Sequence, residues 1–363
     1  MDTKGRLISV DVFRGLTICF MIMVNTPGSW EYVYAPMRHA EWHGWTPTDM
    51  VFPFFLTTVG ISMALSMSNR QGNQSQMLMK VFKRAAAIFL VGLLLNWFPF
   101  YTKNIADLRI WGVLQRIAAS YFIAGVVVIY LKEWNKLLIY AVGALLAYWA
   151  LLYFGGDYSL EGNFNNIVDR AMLADSHIYK GFGIPFDPEG ILGALSGSAH
   201  VIIGYLFSKK LLSKPIDYAY SIKYALIAGA GLVTLAYIWN IAFPINKPLW
   251  TSSYVCLACG LAFIFYALLL YIIDVKGFTK WAYPFRVFGL NPLASYALSG
   301  IMVRVLSMFV KIGDKNAMGF LYGDVFKPIF GPLNGSLVFA IFFTFLIWIF
   351  AFILYRKNIV VKL

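Results

Sequence analysis

Stretches of about twenty predominantly apolar residues recur along this chain, and no other feature restricts its fold as severely. Twenty residues of helix rise about 30 Å, the thickness of the hydrocarbon core of a bilayer. The stretches are 8–26, 47–68, 79–98, 110–131, 134–154, 189–208, 219–238, 250–274, 284–310 and 332–355. Composition agrees: 60% of the 363 residues are hydrophobic and 13% are charged. A soluble domain carries about a quarter of its residues as charge to cover its surface. Tyrosine and tryptophan gather at many of the stretch ends, as interfacial anchors do. The expectation is an all-α, polytopic membrane protein of about ten transmembrane helices. No sequence repeat, low-complexity tract or long linker divides it, so residues 1–363 read as a single transmembrane domain. Asp11 and Arg14 interrupt the first stretch and no small-residue cleavage site follows, which predicts a retained helix rather than a removed signal.

Charge sets the expected orientation. With an even helix count both termini lie on one side. That side would carry Lys4, Arg6, Arg70, Lys80, Lys83, Arg84, Lys132, Lys136, Lys209, Lys210, Lys214, Lys223, Lys276, Lys280, Arg286, Arg356, Lys357 and Lys362. The opposite loops hold half as many basic residues and most of the acidic ones, among them Glu31, Glu41, Asp107, Asp157, Glu161, Asp169, Asp175, Asp187, Asp314 and Asp324. Both termini are therefore expected in the cytoplasm. The net charge of +13 then reflects topology and anionic lipid headgroups, and no nucleic-acid partner is implied. Cys19, Cys256 and Cys259 all fall inside apolar stretches. A single CxxC step has no second pair to complete a zinc site, so packing is the expected role and no metal is anticipated.

Polar residues inside apolar stretches carry the functional signal, because a charge in hydrocarbon is costly unless it meets a partner or a water-filled cavity. Asp11, Arg14 and Asn25 fall at roughly 0°, 300° and 320° around the first helix, one narrow stripe. Asp11 and Arg14 can also neutralise each other at i,i+3. Gln115 and Arg116 lie within GVLQRIAASY, and Asn291, Ser295 and Ser299 step along the ninth stretch. Serines in such helices often bond back to their own carbonyls. His200 reads as a packing histidine.

The segment 25–55 is dense in aromatics and holds two of the four histidines, His39 and His43. It closes on TPTD, where Thr46 suits an N-cap, Pro47 the first helical position and Asp49 the positive helix end. Capping alone would explain Asp49. A histidine at a membrane boundary suits a base or a nucleophile. The segment 155–188 reads as either an ordinary connection or a cover over a polar substrate.

Several segments together resemble the heparan-alpha-glucosaminide N-acetyltransferase family and its bacterial transmembrane acyltransferase relatives. They are RLISVDVFRGL (6–16), VNTPGSW and MRHAEWHGWTPTDMVFPFFL (within 24–56), LRIWGVLQRIAASY (108–121), FDPEGILG (186–193), KPLWTSSYVCLACGLA (247–262) and FGLNPLASY (288–296). The resemblance implies transfer of acetyl from cytoplasmic acetyl-CoA to the amine of an amino sugar on the far side of a bacterial inner membrane. It implies His39, in HAEW, as the catalytic histidine and Asn25, in the VN step, as its companion near the reacting acetyl. The donor is then expected along Asp11, Arg14, Gln115, Arg116, Asn291 and Ser295. The acceptor is expected near Trp42, His43, Asp49, Trp250 and Ser252. The chain departs from the lysosomal enzyme in carrying His43 and in lacking a large luminal region, which leaves the acceptor open. A homodimer stays open as the assembly. Two other readings compete: an O-acyltransferase for an envelope glycan, and a transporter of a polar solute.

Overall fold

The computed structural model describes residues 7–68, 73–102, 104–211 and 216–361. Of the basic residues counted for orientation, Lys4, Arg6, Arg70, Lys214 and Lys362 lie outside them. The described chain is helical: α1 Ile8–Asn25, α2 Val51–Ser68, α3 Gln74–Trp97, α4 Val113–Leu131, α5 Trp134–Gly155, α6 Phe164–Leu173, α7 Gly193–Leu211, α8 Tyr218–Trp239, α9 Ser252–Leu269, α10 Tyr283–Leu290, α11 Pro292–Met308, α12 Ala317–Phe320, α13 Lys327–Phe330 and α14 Pro332–Arg356.

Seven helices among the described residues are long and apolar enough to cross a membrane: Ile8–Asn25, Pro47–Met67, Val113–Leu131, Trp134–Gly155, Tyr218–Trp239, Ser252–Val275 and Pro332–Arg356. The sequence suggested ten, and the other three stretches differ for identifiable reasons. Helix α3 begins earlier than expected, at Gln74, and its first half carries Lys80, Lys83 and Arg84. Helix α7 mixes Ser196, Ser198 and His200 into its length and ends on Lys209 and Lys210. The stretch 284–310 is broken at Asn291, which leaves α10 with 8 residues and α11 with 17. Pro292 at the first position of α11 has no N–H to continue the ladder, which is why the break falls there.

The chain divides into two compact units. The first takes the described residues within Met1–Ala40, Thr46–Phe52 and Ile272–Leu363. Its centre is the crossing of α1 and α10, where the backbones touch. A Cβ on Gly15 would lie 1.7 Å from the Phe285 carbonyl oxygen, and one on Gly289 would lie 2.0 Å from that of Asp11. Such contact without a side chain between helices is a common device of membrane packing. The Arg14 guanidinium closes the same crossing. Its Nε donates to the Gly289 carbonyl at 2.9 Å and its Nη2 to Asp11 Oδ1 at 2.6 Å.

The second unit takes the described residues within Glu41–Trp45 and Pro53–Tyr271. Helices α3 and α4 run antiparallel, tied by Asn96 Nδ2, which donates to the Arg109 and Trp111 carbonyls at 3.0 and 3.2 Å. Helices α2 and α7 cross closely at Gly60 and Gly204. Between α5 and α7, the segment 156–192 is not a bare connection, since it contains α6. At one end of this unit stand Lys80, Lys83, Arg84, Lys132, Lys136, Lys209 and Lys210; the other end, where 41–45, 98–112, 156–192 and 240–251 lie, exposes Glu41, Asp107, Asp157 and Glu161.

Candidate active site

The loop after α1 has no periodic pattern, yet a buried carboxylate organises it. Thr46 and Asp49 form the capping box that starts the next helix, with Pro47 at its first position. Thr46 N–H donates to Asp49 Oδ2 at 3.0 Å, and so does Ala40 N–H, also at 3.0 Å. The Thr46 hydroxyl lies 2.6 Å from the Arg38 carbonyl, which it reaches back across the loop. With Oδ2 so held, Asp49 Oδ1 is aimed at the ring of His39, whose Nδ1 stands 2.6 Å away. The Asp49 side chain is 2% exposed and that of His39 is 44% exposed. A carboxylate oxygen in this position accepts, so in the neutral imidazole the proton sits on Nδ1 and Nε2 is the unprotonated nitrogen. Capping, anticipated from TPTD, is one of two tasks for the same side chain.

The other expected residues of the first unit fall into two groups. Asp11 and Arg14 pair with each other, as their i,i+3 spacing allowed, and meet the helix break at Gly289. Two residues on, Asn291 is buried with its amide engaged: Nδ2 donates to the Ile359 carbonyl at 2.9 Å and Oδ1 accepts from Val361 N–H at 2.7 Å. Ser295 donates to the Asn291 carbonyl at 2.9 Å, and Ser299 to that of Tyr296 at 2.7 Å, the back-bonding expected of helical serines. Asn25 is the last residue of α1 and is exposed.

In the second unit, Arg116 is a clamp on the turn that precedes α7. It is fully buried and donates to the carbonyls of Pro188, Glu189 and Gly190 at 3.3, 3.3 and 3.0 Å, with its guanidinium 5.4 Å from the centre of the Trp250 ring. Gln115, next to it, packs instead against Gly92 on α3. Gln115 Nε2 and Arg116 Nη1 are buried donors without a partner among the described residues. Ser252 donates to the Leu145 carbonyl at 2.7 Å. His200 is buried with Nε2 2.8 Å from the Thr57 hydroxyl, in keeping with a packing role. Trp42 packs edge-on to Phe182 and Phe186, against the core of Tyr148, Leu152, Phe186, Phe243 and Leu249, and its Nε1 donates to the Tyr158 carbonyl at 2.8 Å.

Three groups of the second unit escaped the sequence. Arg109 pairs with Asp187 at 2.7 Å and Glu189 at 2.6 Å, and stacks over Tyr179. Asn246 fastens residues 42–44 to the 240–251 turn. Asp169, on α6, accepts from Ile191 N–H at 2.9 Å through Oδ1, while Oδ2 is buried without a partner among the described residues. The DPEG and DR steps held the only hint of these pairings, and neither names its partner.

Burial, reinforced by the nearby Asp187 charge, pushes the Asp169 carboxyl up from 3.8 to about 7, against the lowering effects of Ile191 N–H and Arg116. Between those values the folded protein holds a proton that the unfolded chain releases. Stability from this group therefore falls as pH rises through that window. Asp169→Asn is expected to raise the thermal midpoint at pH 8 more than at pH 5. An unchanged pH dependence of the midpoint in the variant would show that Asp169 does not titrate in this way.

Among the described residues, seven helices are long and apolar enough to cross a membrane, and a loop outside them holds a histidine oriented by a buried carboxylate. The family described as "Heparan-alpha-glucosaminide N-acetyltransferase, catalytic" matches residues 6–166, which hold His39, Asp49, Asn25 and Arg116. The chain is 29% identical over 354 residues to the heparan-alpha-glucosaminide N-acetyltransferase of Homo sapiens, covering 80% of this chain and 52% of that protein. It is 26% identical over 380 residues to that of Mus musculus, covering 87% and 56%. The resemblance read from the sequence is thus borne out: the chain is similar to this family over these residues. It spans about half the length of these curated relatives.

Proposed function

We propose that the chain moves an acetyl group from acetyl-CoA to the amine of a glucosamine-type sugar. The donor enters from the cytoplasmic side of a bacterial inner membrane and the acceptor meets it at the outer boundary. The observation that carries this reading is the His39–Asp49 pair: a buried carboxylate stands 2.6 Å from Nδ1 of a histidine whose side chain is 44% exposed. The amine nitrogen attacks the thioester carbonyl carbon, the C–S bond breaks, and coenzyme A leaves as the thiol. One proton is lost from the amine. His39 Nε2 receives that proton and returns it to the departing sulfur, or takes the acetyl first and passes it on. Thiol released before any acceptor is added would mark the second route. Asn25 polarises the thioester carbonyl by donating to its oxygen. Asp11 and Arg14 line the donor's approach. Within the second unit, Gln115 and Arg116 have buried unpartnered N–H groups that suit a polar ligand. Asn291 and Ser295 belong to the same path only if their present internal bonds open.

The test is purified full-length chain in lipid nanodiscs with acetyl-CoA and glucosamine, following free thiol and N-acetylglucosamine by mass. Acceptor-dependent formation of both supports the proposal. An acetyl ester on a glycan hydroxyl would keep the transfer and replace the acceptor. Solute movement without consumption of acetyl-CoA would sink it in favour of a transporter.

A further inference from the structure

We infer that His43 selects the acceptor, donating a hydrogen bond from a neutral imidazole to an oxygen of an uncharged or cationic sugar; this rests on the transferase reading above. The ring is held through Asn246 and lies against the Trp42 ring. Asn246 is buried; its Oδ1 accepts from Leu249 N–H at 2.7 Å, so Nδ2 is the end that faces residues 42 and 43. Nδ2 donates to the Trp42 carbonyl at 2.9 Å and stands 3.3 Å from His43 Nδ1. An amide nitrogen can only donate, so His43 Nδ1 must accept and the imidazole proton sits on Nε2. The adjoining backbone is pinned as well, with Gly44 N–H donating to the Ile245 carbonyl at 2.8 Å. Partial burial lowers the His43 pKa, which keeps the ring neutral near pH 7. The outcome is an exposed N–H donor of fixed direction, four residues along the chain from His39.

Its surroundings decide which acceptors can approach. At this end of the second unit Glu41, Asp107, Asp157 and Glu161 are exposed. Arg109 and Arg170 are paired with carboxylates, and the exposed Lys180 and half-buried Lys247 leave the acidic groups in the majority. An acidic rim attracts a protonated amino sugar and repels a sulfated or carboxylated one. His43 itself adds no positive charge to receive an anion.

The probes are glucosamine and glucosamine 6-sulfate. In acetyl transfer, His43→Ala is expected to raise KM for glucosamine about tenfold with kcat kept, the effect of losing one neutral hydrogen bond. His43→Gln, which retains an N–H donor, should recover part of that. Glucosamine should exceed the sulfate in kcat/KM by about tenfold or more at low salt, and the gap should narrow at 0.5 M salt, where exposed charges are screened. An unchanged KM in His43→Ala, or a preference for the sulfate, overturns the inference. Equilibrium binding of radiolabelled glucosamine to parent and His43→Ala protein gives a readout independent of turnover. If the parent transfers no acetyl, weaker binding by the variant still supports the role of His43, and equal binding overturns it.

Discussion

His39→Ala is expected to abolish acceptor-dependent thiol release, by about 10³-fold or more, because one ring nitrogen serves either as the base or as the acyl carrier. The side chain is 44% exposed, so its removal leaves no cavity in a core. Asp49 Oδ1 loses this partner while Oδ2 keeps the Ala40 and Thr46 N–H groups. A buried acceptor left unmatched costs about 1–3 kcal/mol. The thermal midpoint should therefore fall modestly while activity disappears, and acetyl-CoA should still bind. Added imidazole should restore a fraction of the rate by occupying the vacated place. Full turnover in the variant would remove His39 from the chemistry and leave the transferase reading without its centre.

Asp49→Asn is the second large effect, and it separates the two tasks of that carboxylate. The amide is nearly isosteric and can keep one oxygen for the Ala40 and Thr46 N–H groups that hold Oδ2. Its nitrogen then faces His39 Nδ1 and donates to it. The proton moves to Nε2, which then loses the lone pair the reaction needs. A forced tautomer of this kind lowers turnover by about 10⁴-fold in a hydrolase triad. The lost charge at the helix start should lower stability by only about 1 kcal/mol. Asp49 is a positioning residue on this view, and kcat should fall while KM for acetyl-CoA stays. Wild-type turnover in Asp49→Asn, together with an inactive His39→Ala, would reduce Asp49 to a helix cap.

Part of this was legible in one dimension. Side chains three or four residues apart on a helix face one another whatever surrounds them, so Asp11 with Arg14 and the serine back-bonds could be anticipated from spacing. The TPTD cap was equally local. The link from Asp49 to His39 was not, because it spans ten residues of a loop without a period. Asn246 illustrates the limit more strongly. It lies more than two hundred residues from His43, and an asparagine in a proline-bounded turn has no pattern that names its partner.

The sequence by itself determined that the chain is a set of long apolar helices with charge segregated along it, since hydrophobic length and charge are sums over neighbouring residues. It also fixed the histidine-rich segment in which the chemistry is proposed. Only the tertiary structure decided that α10 and α11 are separate helices, that the Asn291 amide is held by the backbone of 359–361, and that a buried carboxylate selects the His39 tautomer. Each of these depends on which distant backbone or side-chain group arrives within about 3 Å. Hydrogen bonding falls off over that distance, and no periodicity in the sequence encodes it.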